Sequence, residues 1–314
     1  MLRLPRSLPV LFVGLACMVL QACAVQSLRA EQFAFQDGQR AIYFDIDKAG
    51  RPGQKNAGQL ENLVFVVSGS DCISMGPFLP QYFTGLGEES GSTKILIMHK
   101  RHILPGSNGH DCGQAYVRDD HLSRWQQDQQ EFIAMQLAAL KKTGIQVKRI
   151  ILFGISEGAE LAPLLVRQAS ATHLVLLSHS GLNALDAYRS LASHHAHMQQ
   201  GWLQLQAAMA RQPDDQEASR IHGRSWRYWS EIATVTQQQN LFNAGLPVFL
   251  AAGQADPVII QTAISDLQQS FLASGKPIRI ALYPDADHGL NSPAKNYLPD
   301  FMHQVDNWLV ETMP

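Results

Sequence analysis

Gly154-Ile155-Ser156-Glu157-Gly158 places a serine between two glycines, directly after the apolar run VKRIILF. A serine hydroxyl is a weak nucleophile until a base takes its proton and a third group orients that base. G-x-S-x-G arises by accident on the order of a tenth of a time in a chain of this size, so the partners decide. After Ser156, histidines stand at His173, His179, His194, His195, His197, His222, His288 and His303. Only His288, in YPDADHGL, directly follows a strand-like run, whereas His303 lies inside a helical pattern. Asp256, in LPVFLAAGQADPV, stands just past another strand-like run, with Gly253 permitting the turn. Asp285 and Asp287 are rivals, but they are so close to His288 along the chain that only an unusual loop could aim them at its ring. The chemistry available to Ser156, His288 and Asp256 is acyl transfer: attack on a carbonyl, proton transfer through the imidazole, and a carboxylate fixing its tautomer.

These residues act together only if the fold brings them to one place. Short apolar runs at 41–46, 62–69, 94–100, 147–156, 172–181, 246–256 and 278–288 read as strands buried on both faces of a parallel sheet. Helical spacing joins Phe132, Ile133, Leu137 and Leu140, then Ile260, Ile264, Leu267 and Phe271, then Leu298, Phe301, Met302, Val305, Trp308 and Leu309. Alternating strands and helices give a doubly wound α/β sheet, whose strand-end loops gather at one edge. Residues 182–243 hold no strand-like run and are too long for a connection, so they predict an inserted helical cap. A nucleophile between strand 147–156 and a following helix sits on a sharp, strained turn, where Gly154 and Gly158 remove clashes. Pro163 removes the bond to the Ala159 carbonyl and predicts a kink or early stop in that helix.

The order Ser156, Asp256, His288, each behind its own strand, resembles the α/β-hydrolases from about residue 40 to 310. GISEGAEL and PDADHG look like serine hydrolases near the dienelactone hydrolases and serine aminopeptidases. The resemblance implies an eight-stranded, mostly parallel sheet flanked by helices, and a water-using acyl-enzyme mechanism with no metal or organic cofactor. It implies a carboxylesterase-like hydrolase of esters or related acyl compounds. A peptidase or acyltransferase with the same triad is the alternative, and a non-catalytic binding protein on this scaffold is the reading from another class. The oxyanion needs two donors. One is the Glu157 backbone N–H at the start of its helix. For the other, the family often carries His-Gly-x-Gly where this chain has Ser68-Gly69-Ser70-Asp71. Alignment points to the Ser70 N–H, with Gly69 and Asp71 as alternatives.

The amino terminus carries different information. Arg3 and Arg6 precede an apolar stretch from Leu8 to Leu20, the length of a signal-peptide core and short for a membrane span. Leu20-Gln21-Ala22-Cys23 resembles the lipobox of bacterial lipoproteins. That implies cleavage before Cys23, lipid on its thiol and, with Ala24 next, an outer-membrane anchor facing the periplasm. Residues 1–22 are then the signal, 23–35 the lipidated tether, 36–181 and 244–314 the two parts of the hydrolase core. The alternative is plain secretion. Of the four cysteines, Cys17 leaves with the signal and Cys23 carries lipid, so Cys72 and Cys112 are expected to pair in an oxidising compartment and pin the oxyanion loop. Two free thiols are the other possibility.

With 46% hydrophobic residues, 17% charged and a net charge of -2, the chain has a globular composition and no electrostatic footprint for nucleic acid. His194, His195 and His197 could suggest a metal, but no carboxylate stands at ligand spacing; a polar surface is the expectation. His102, His110 and His121 either flank the site entrance or are solvated. Trp226, Tyr228 and Trp229 either pack the cap or wall a substrate, and Arg224 and Arg227 read as solvated cations or a substrate-carboxylate site. The acyl substrate and the membrane are the expected partners.

Overall fold

The computed structural model describes residues 28–50, 58–217 and 219–312. The leader, the lipobox and Cys23 lie outside the described residues. Eight strands form one sheet: β1 (Glu31–Ala34), β2 (Arg40–Lys48), β3 (Gln59–Val67), β4 (Thr93–Met98), β5 (Gln146–Ile155), β6 (His173–Leu177), β7 (Val248–Gly253) and β8 (Ile278–Tyr283). Their spatial order is β1-β2-β4-β3-β5-β6-β7-β8. β2 runs antiparallel to β1 and β4, and every pair from β4 to β8 is parallel. The carboxyl ends of β3, β5, β6, β7 and β8 therefore share one edge, where a crevice forms between β3 and β5, the neighbours at which the strand order reverses.

The central strands read as buried on both faces because they are: β6 and β7 are buried at every position. β8 departs from that reading. It is the edge strand, most of its residues are only half-buried, and Leu282 is exposed. An apolar edge strand has a neighbour on one side only, which the hydropathy of the segment does not record. β1 escapes the pattern altogether, since four residues with one buried position, Phe33, carry no usable period.

Helices α1 (Leu122–Lys142), α2 (Ala184–His194), α3 (Ala196–Arg211), α4 (Trp226–Ile232), α5 (Gln237–Ala244), α6 (Gln261–Ala273) and α7 (Leu298–Glu311) flank the sheet or fill the stretch between β6 and β7. The α7 stripe behaves as its spacing requires: Leu298, Phe301, Met302, Val305, Trp308 and Leu309 are all buried. In α1, the His121 side chain accepts from the Arg124 N–H and caps the helix. The region between β6 and β7 is helical apart from a two-strand ribbon, Arg220–Ile221 with Arg224–Ser225, which the sequence pattern did not announce. Two residues per strand are too few to show a period of two.

Candidate active site

β5 ends at Ile155, and Ser156 turns the chain with φ +53°. A non-glycine residue in that region is strained and persists where its surroundings hold it. The Ser156 N–H donates to the Leu177 carbonyl (2.8 Å), and its carbonyl accepts from the Ala159 N–H (2.9 Å). The flanking glycines are there because of close approach. A Cβ at Gly158 would lie 2.1 Å from the Val67 carbonyl oxygen, and one at Gly154 would lie 2.6 Å from the Ala159 Cα. The helix that follows is broken as Pro163 requires: α over Gly158–Leu161, 3-10 over Ala162–Leu165, then α over Val166–Ala169. The Ala159 carbonyl freed by Pro163 accepts instead from Gln237 Nε2 at 2.6 Å, so α5 supplies the bond that proline removed.

The loops after β7 and β8 deliver the other two groups. His288 Nε2 lies 2.9 Å from Ser156 Oγ, and His288 Nδ1 lies 2.6 Å from Asp256 Oδ2. The Asp256 side chain is fully buried, while that of His288 is 42% exposed and open to a reacting molecule. Asp256 Oδ1 accepts from the Val258 N–H at 3.0 Å, so both of its oxygens are held. The His288 carbonyl accepts from Ser178 Oγ at 2.6 Å, tying the loop to the end of β6. Gly253 serves by close approach rather than by permitting a turn: a Cβ there would lie 2.1 Å from the Ala286 carbonyl oxygen. Asp287 is spent on its own loop, with Oδ1 accepting from the Gly289 and Asn291 N–H groups.

The Ser68–Asp71 loop runs over the nucleophile. A Cβ on Gly69 would come within 3.3 Å of the Ser156 Cβ, and Asp71 holds φ +69°. Ser70 and Glu157 line one cavity with Ser156 and His288. Among the described residues, neither the Ser70 nor the Glu157 backbone N–H donates a hydrogen bond. Cys72 and Cys112 form a disulfide just beyond this loop, with their Cα atoms 5.2 Å apart. The cavity has a volume of about 240 Å³; Glu160 and, after β7, Val258 and Ile259 also line it, and the region between β6 and β7 adds Tyr188, Leu191, Tyr228, Trp229 and Ile232 among others. A larger cleft of about 620 Å³ beside the disulfide contains none of Ser156, Asp256 and His288.

The Glu157 side chain has a role that its motif does not advertise. It enters a buried charge cluster: Lys100 Nζ donates to Glu157 Oε1 (2.8 Å) and to Asp120 Oδ1 (2.7 Å), and Tyr228 Oη donates to Glu157 Oε2 (3.0 Å). Arg224 pairs with Asp120, stands 3.6 Å from Glu157 and reaches Asp71 at 3.2 Å. Burial alone would raise the Glu157 carboxyl, but the Lys100 and Arg224 charges outweigh it and hold it well below its ordinary range. Arg224 is thus neither solvated nor positioned for a substrate carboxylate. Its guanidinium is consumed by three protein carboxylates, because partners distant in the chain, Asp71, Asp120 and Glu157, fold onto it. Arg227 pairs with Glu231 at 3.0 Å, one turn along its own helix. Trp226 is buried against Leu205, Ala208 and Ile221, whereas Tyr228 and Trp229 wall the cavity, so the aromatic cluster divides its work. His121 is buried and contacts Glu231, His102 pairs with Asp119 at 2.6 Å, and His110 lines the larger cleft.

The sequence profile of the prolyl oligopeptidase family, peptidase family S9, matches residues 104–314, which include Ser156, Asp256 and His288. The chain belongs to the prolyl oligopeptidase family. It is accordingly a serine hydrolase of the α/β-hydrolase fold. Solved structures agree on the fold at low identity. Est1E from Butyrivibrio proteoclasticus is similar with 13% identity and a TM-score of 0.56, over 90% of this chain and 98% of that one. The thermophilic esterase Est2 from Thermogutta terrifontis gives 14% and 0.54, over 92% and 95%. A lidless α/β serine hydrolase from Xanthomonas campestris gives 12% and 0.51, over 92% and 96%. No curated protein sequence matches the chain. Of the residues at this site, Ser156, Asp256 and His288 were legible from order and strand context. Lys100, Asp120 and Glu160 near the site were not, since nothing local distinguishes them from other charged residues.

Proposed function

We propose that this protein hydrolyses carboxylic esters or related acyl compounds through an acyl-enzyme on Ser156. The observation that carries the reading is the unbroken line Asp256–His288–Ser156, with contacts of 2.6 and 2.9 Å. Ser156 Oγ attacks the carbonyl carbon as His288 Nε2 takes its proton. The negative charge that forms on the carbonyl oxygen falls to the Glu157 and Ser70 N–H groups, whose lack of other acceptors suits that task. Collapse breaks the bond to the leaving group, and His288 returns the proton to it. Water then attacks the acyl-enzyme with His288 as base, releasing the acid and restoring Ser156. Asp256 holds the Nδ1 proton and stabilises the imidazolium. The residues present suffice for each proton transfer, and the reading invokes no cofactor.

The similar esterases favour esters, and the family match favours a second reading, a peptidase with the same residues. Short p-nitrophenyl esters and peptide amides, compared by kcat/KM, separate the two. Ester turnover that vanishes in Ser156→Ala supports the proposal. A native protein inert towards both classes overturns it in favour of a binding role. We also infer, from Leu20-Gln21-Ala22-Cys23, a lipid-anchored periplasm-facing protein. Metabolic labelling with an alkynyl fatty acid should mark the native chain and not Cys23→Ser.

A further inference from the structure

We propose that the cavity beside Ser156 is a subsite for an ammonium group carried by the acyl part of the substrate, an inference that rests on the acyl-transfer reading above. Glu160 stands one helical turn beyond Ser156, is 5% exposed and lines the cavity. Its Oε1 contacts His179 Nε2 at 2.9 Å, and its Oε2 has no hydrogen-bond partner among the described residues. His179 Nδ1 accepts from the Gly181 N–H at 2.9 Å. That ring therefore carries its single proton on Nε2, donates it to Glu160 and is neutral. Among the described residues, no lysine or arginine lines the cavity. Glu157 has Lys100 and Arg224 behind it, but Glu160 has a neutral imidazole alone.

A buried carboxylate with no cation is costly, and here the open side of the cavity is where a cation can arrive. The rest of the lining fits one. Tyr188 Oη is also buried without a partner among the described residues and can accept. Tyr188, Trp229 and Tyr228 form an aromatic wall, with the Trp229 ring centroid 5.2 Å from that of Tyr188 and 5.1 Å from that of Tyr228. Trp229 spends its N–H on the Ile221 carbonyl at 2.9 Å and leaves its ring to the cavity. An ammonium group has three donors and no acceptor. It matches a free carboxylate oxygen, a free hydroxyl and ring faces, where an anionic acyl group would be repelled and an alkyl one would leave Glu160 unpaired. A volume of about 240 Å³ admits one short arm.

The test compares ethyl esters of similar size: norleucine with a free α-amine, Nα-acetyl-lysine, and Nα-acetyl-norleucine as the neutral reference. At least one amine-bearing ester should exceed the reference in kcat/KM by about tenfold or more, and which one does so locates the ammonium on the α-carbon or the side chain. Glu160→Gln should bring that ratio close to one, and Tyr188→Phe should lower it part-way. Fluorophosphonate labelling of Ser156 in both variants checks that the site still forms. A ratio near one in the native protein, or a ratio that survives Glu160→Gln, overturns the subsite. Calorimetric titration with n-pentylammonium chloride against n-pentanol gives a readout free of turnover. Binding of the amine alone, lost in Glu160→Gln, sustains the subsite even if no ester is cleaved, in which case the acyl-transfer reading is what fails. Absence of amine binding to the native protein overturns the subsite whatever the esters do.

Discussion

Ser156 sits at φ +53° with its Oγ 2.9 Å from His288 Nε2, and the strain at that one residue is what turns the hydroxyl out of the sheet. Removing the hydroxyl leaves binding and the two proposed oxyanion donors. Ser156→Ala is therefore expected to lower kcat on a p-nitrophenyl ester by about a million-fold, and Asp256→Ala by about ten-thousand-fold. Steady-state kinetics on the folded variants checks both. Asp256 and His288 were readable in the sequence because each follows its own strand. Glu160 was not, since its meaning comes from an unpaired oxygen that only the folded chain reveals. The Glu157 carboxylate was equally hidden, because Lys100, Arg224 and Tyr228 approach it from elsewhere in the chain. Lys100 is buried and joins two carboxylates. Lys100→Met leaves Arg224 alone against Glu157 and Asp120, and should cost about 3 kcal/mol of stability in urea unfolding. A variant as stable as the native protein would contradict this role for Lys100 in the cluster.

Between residues and the whole chain, the elements repeat one lesson: the strands were legible and their environment was not. Apolar runs located seven of the eight strands, yet β8 looked as buried as β7 until the sheet order put it at the edge. Pro163 announced a broken helix, but nothing in the sequence connected it to Gln237, which satisfies the Ala159 carbonyl from α5. The elbow glycines report backbone contact rather than flexibility. Gly158→Ala would drive a Cβ to 2.1 Å from the Val67 carbonyl oxygen, and soluble, folded protein should be lost. Circular dichroism and expression yield read this directly. The Cys72–Cys112 bridge spans a sequence separation of 40 residues beside the Ser68–Asp71 loop. Replacing both cysteines by serine should cost about 4 kcal/mol in the chain-entropy model. If the bridge also positions the Ser70 N–H, kcat should fall in protein that remains fully folded at the assay temperature.

At the scale of the molecule, buried titratable groups set the pH range of the fold. Burial lowers His99 from 6.5 to about 4, with its Nε2 accepting from the Met75 N–H. Burial alone would raise Glu231, but the adjoining His121 and bonds from the Ser123 N–H and Arg227 hold it at about 2, against an ordinary 4.5. In both cases the unfolded chain takes up protons more readily than the folded one. The His99 contribution is complete above pH 6.5 and is lost as pH falls through about 4; that of Glu231 is complete above pH 4.5 and is lost towards pH 2. Glu157, depressed by its cations, adds to the acid loss. Urea midpoints measured from pH 7 to pH 3 should fall steadily, and a flat profile would contradict this placement of His99. The sheet as a whole was legible because period and order repeat over many residues. The pocket was not, because it is assembled from the ends of β3, β5, β6, β7 and β8 and the helical region with no repeating signal. The central claim is that Ser156 is the activated nucleophile, and covalent labelling by a fluorophosphonate, located by peptide mass spectrometry, tests it most directly. The native protein should carry the label on Ser156 alone, more slowly in His288→Ala and not at all in Ser156→Ala. Folded native protein that takes no label, or Ser156→Ala that takes it equally, would contradict the claim.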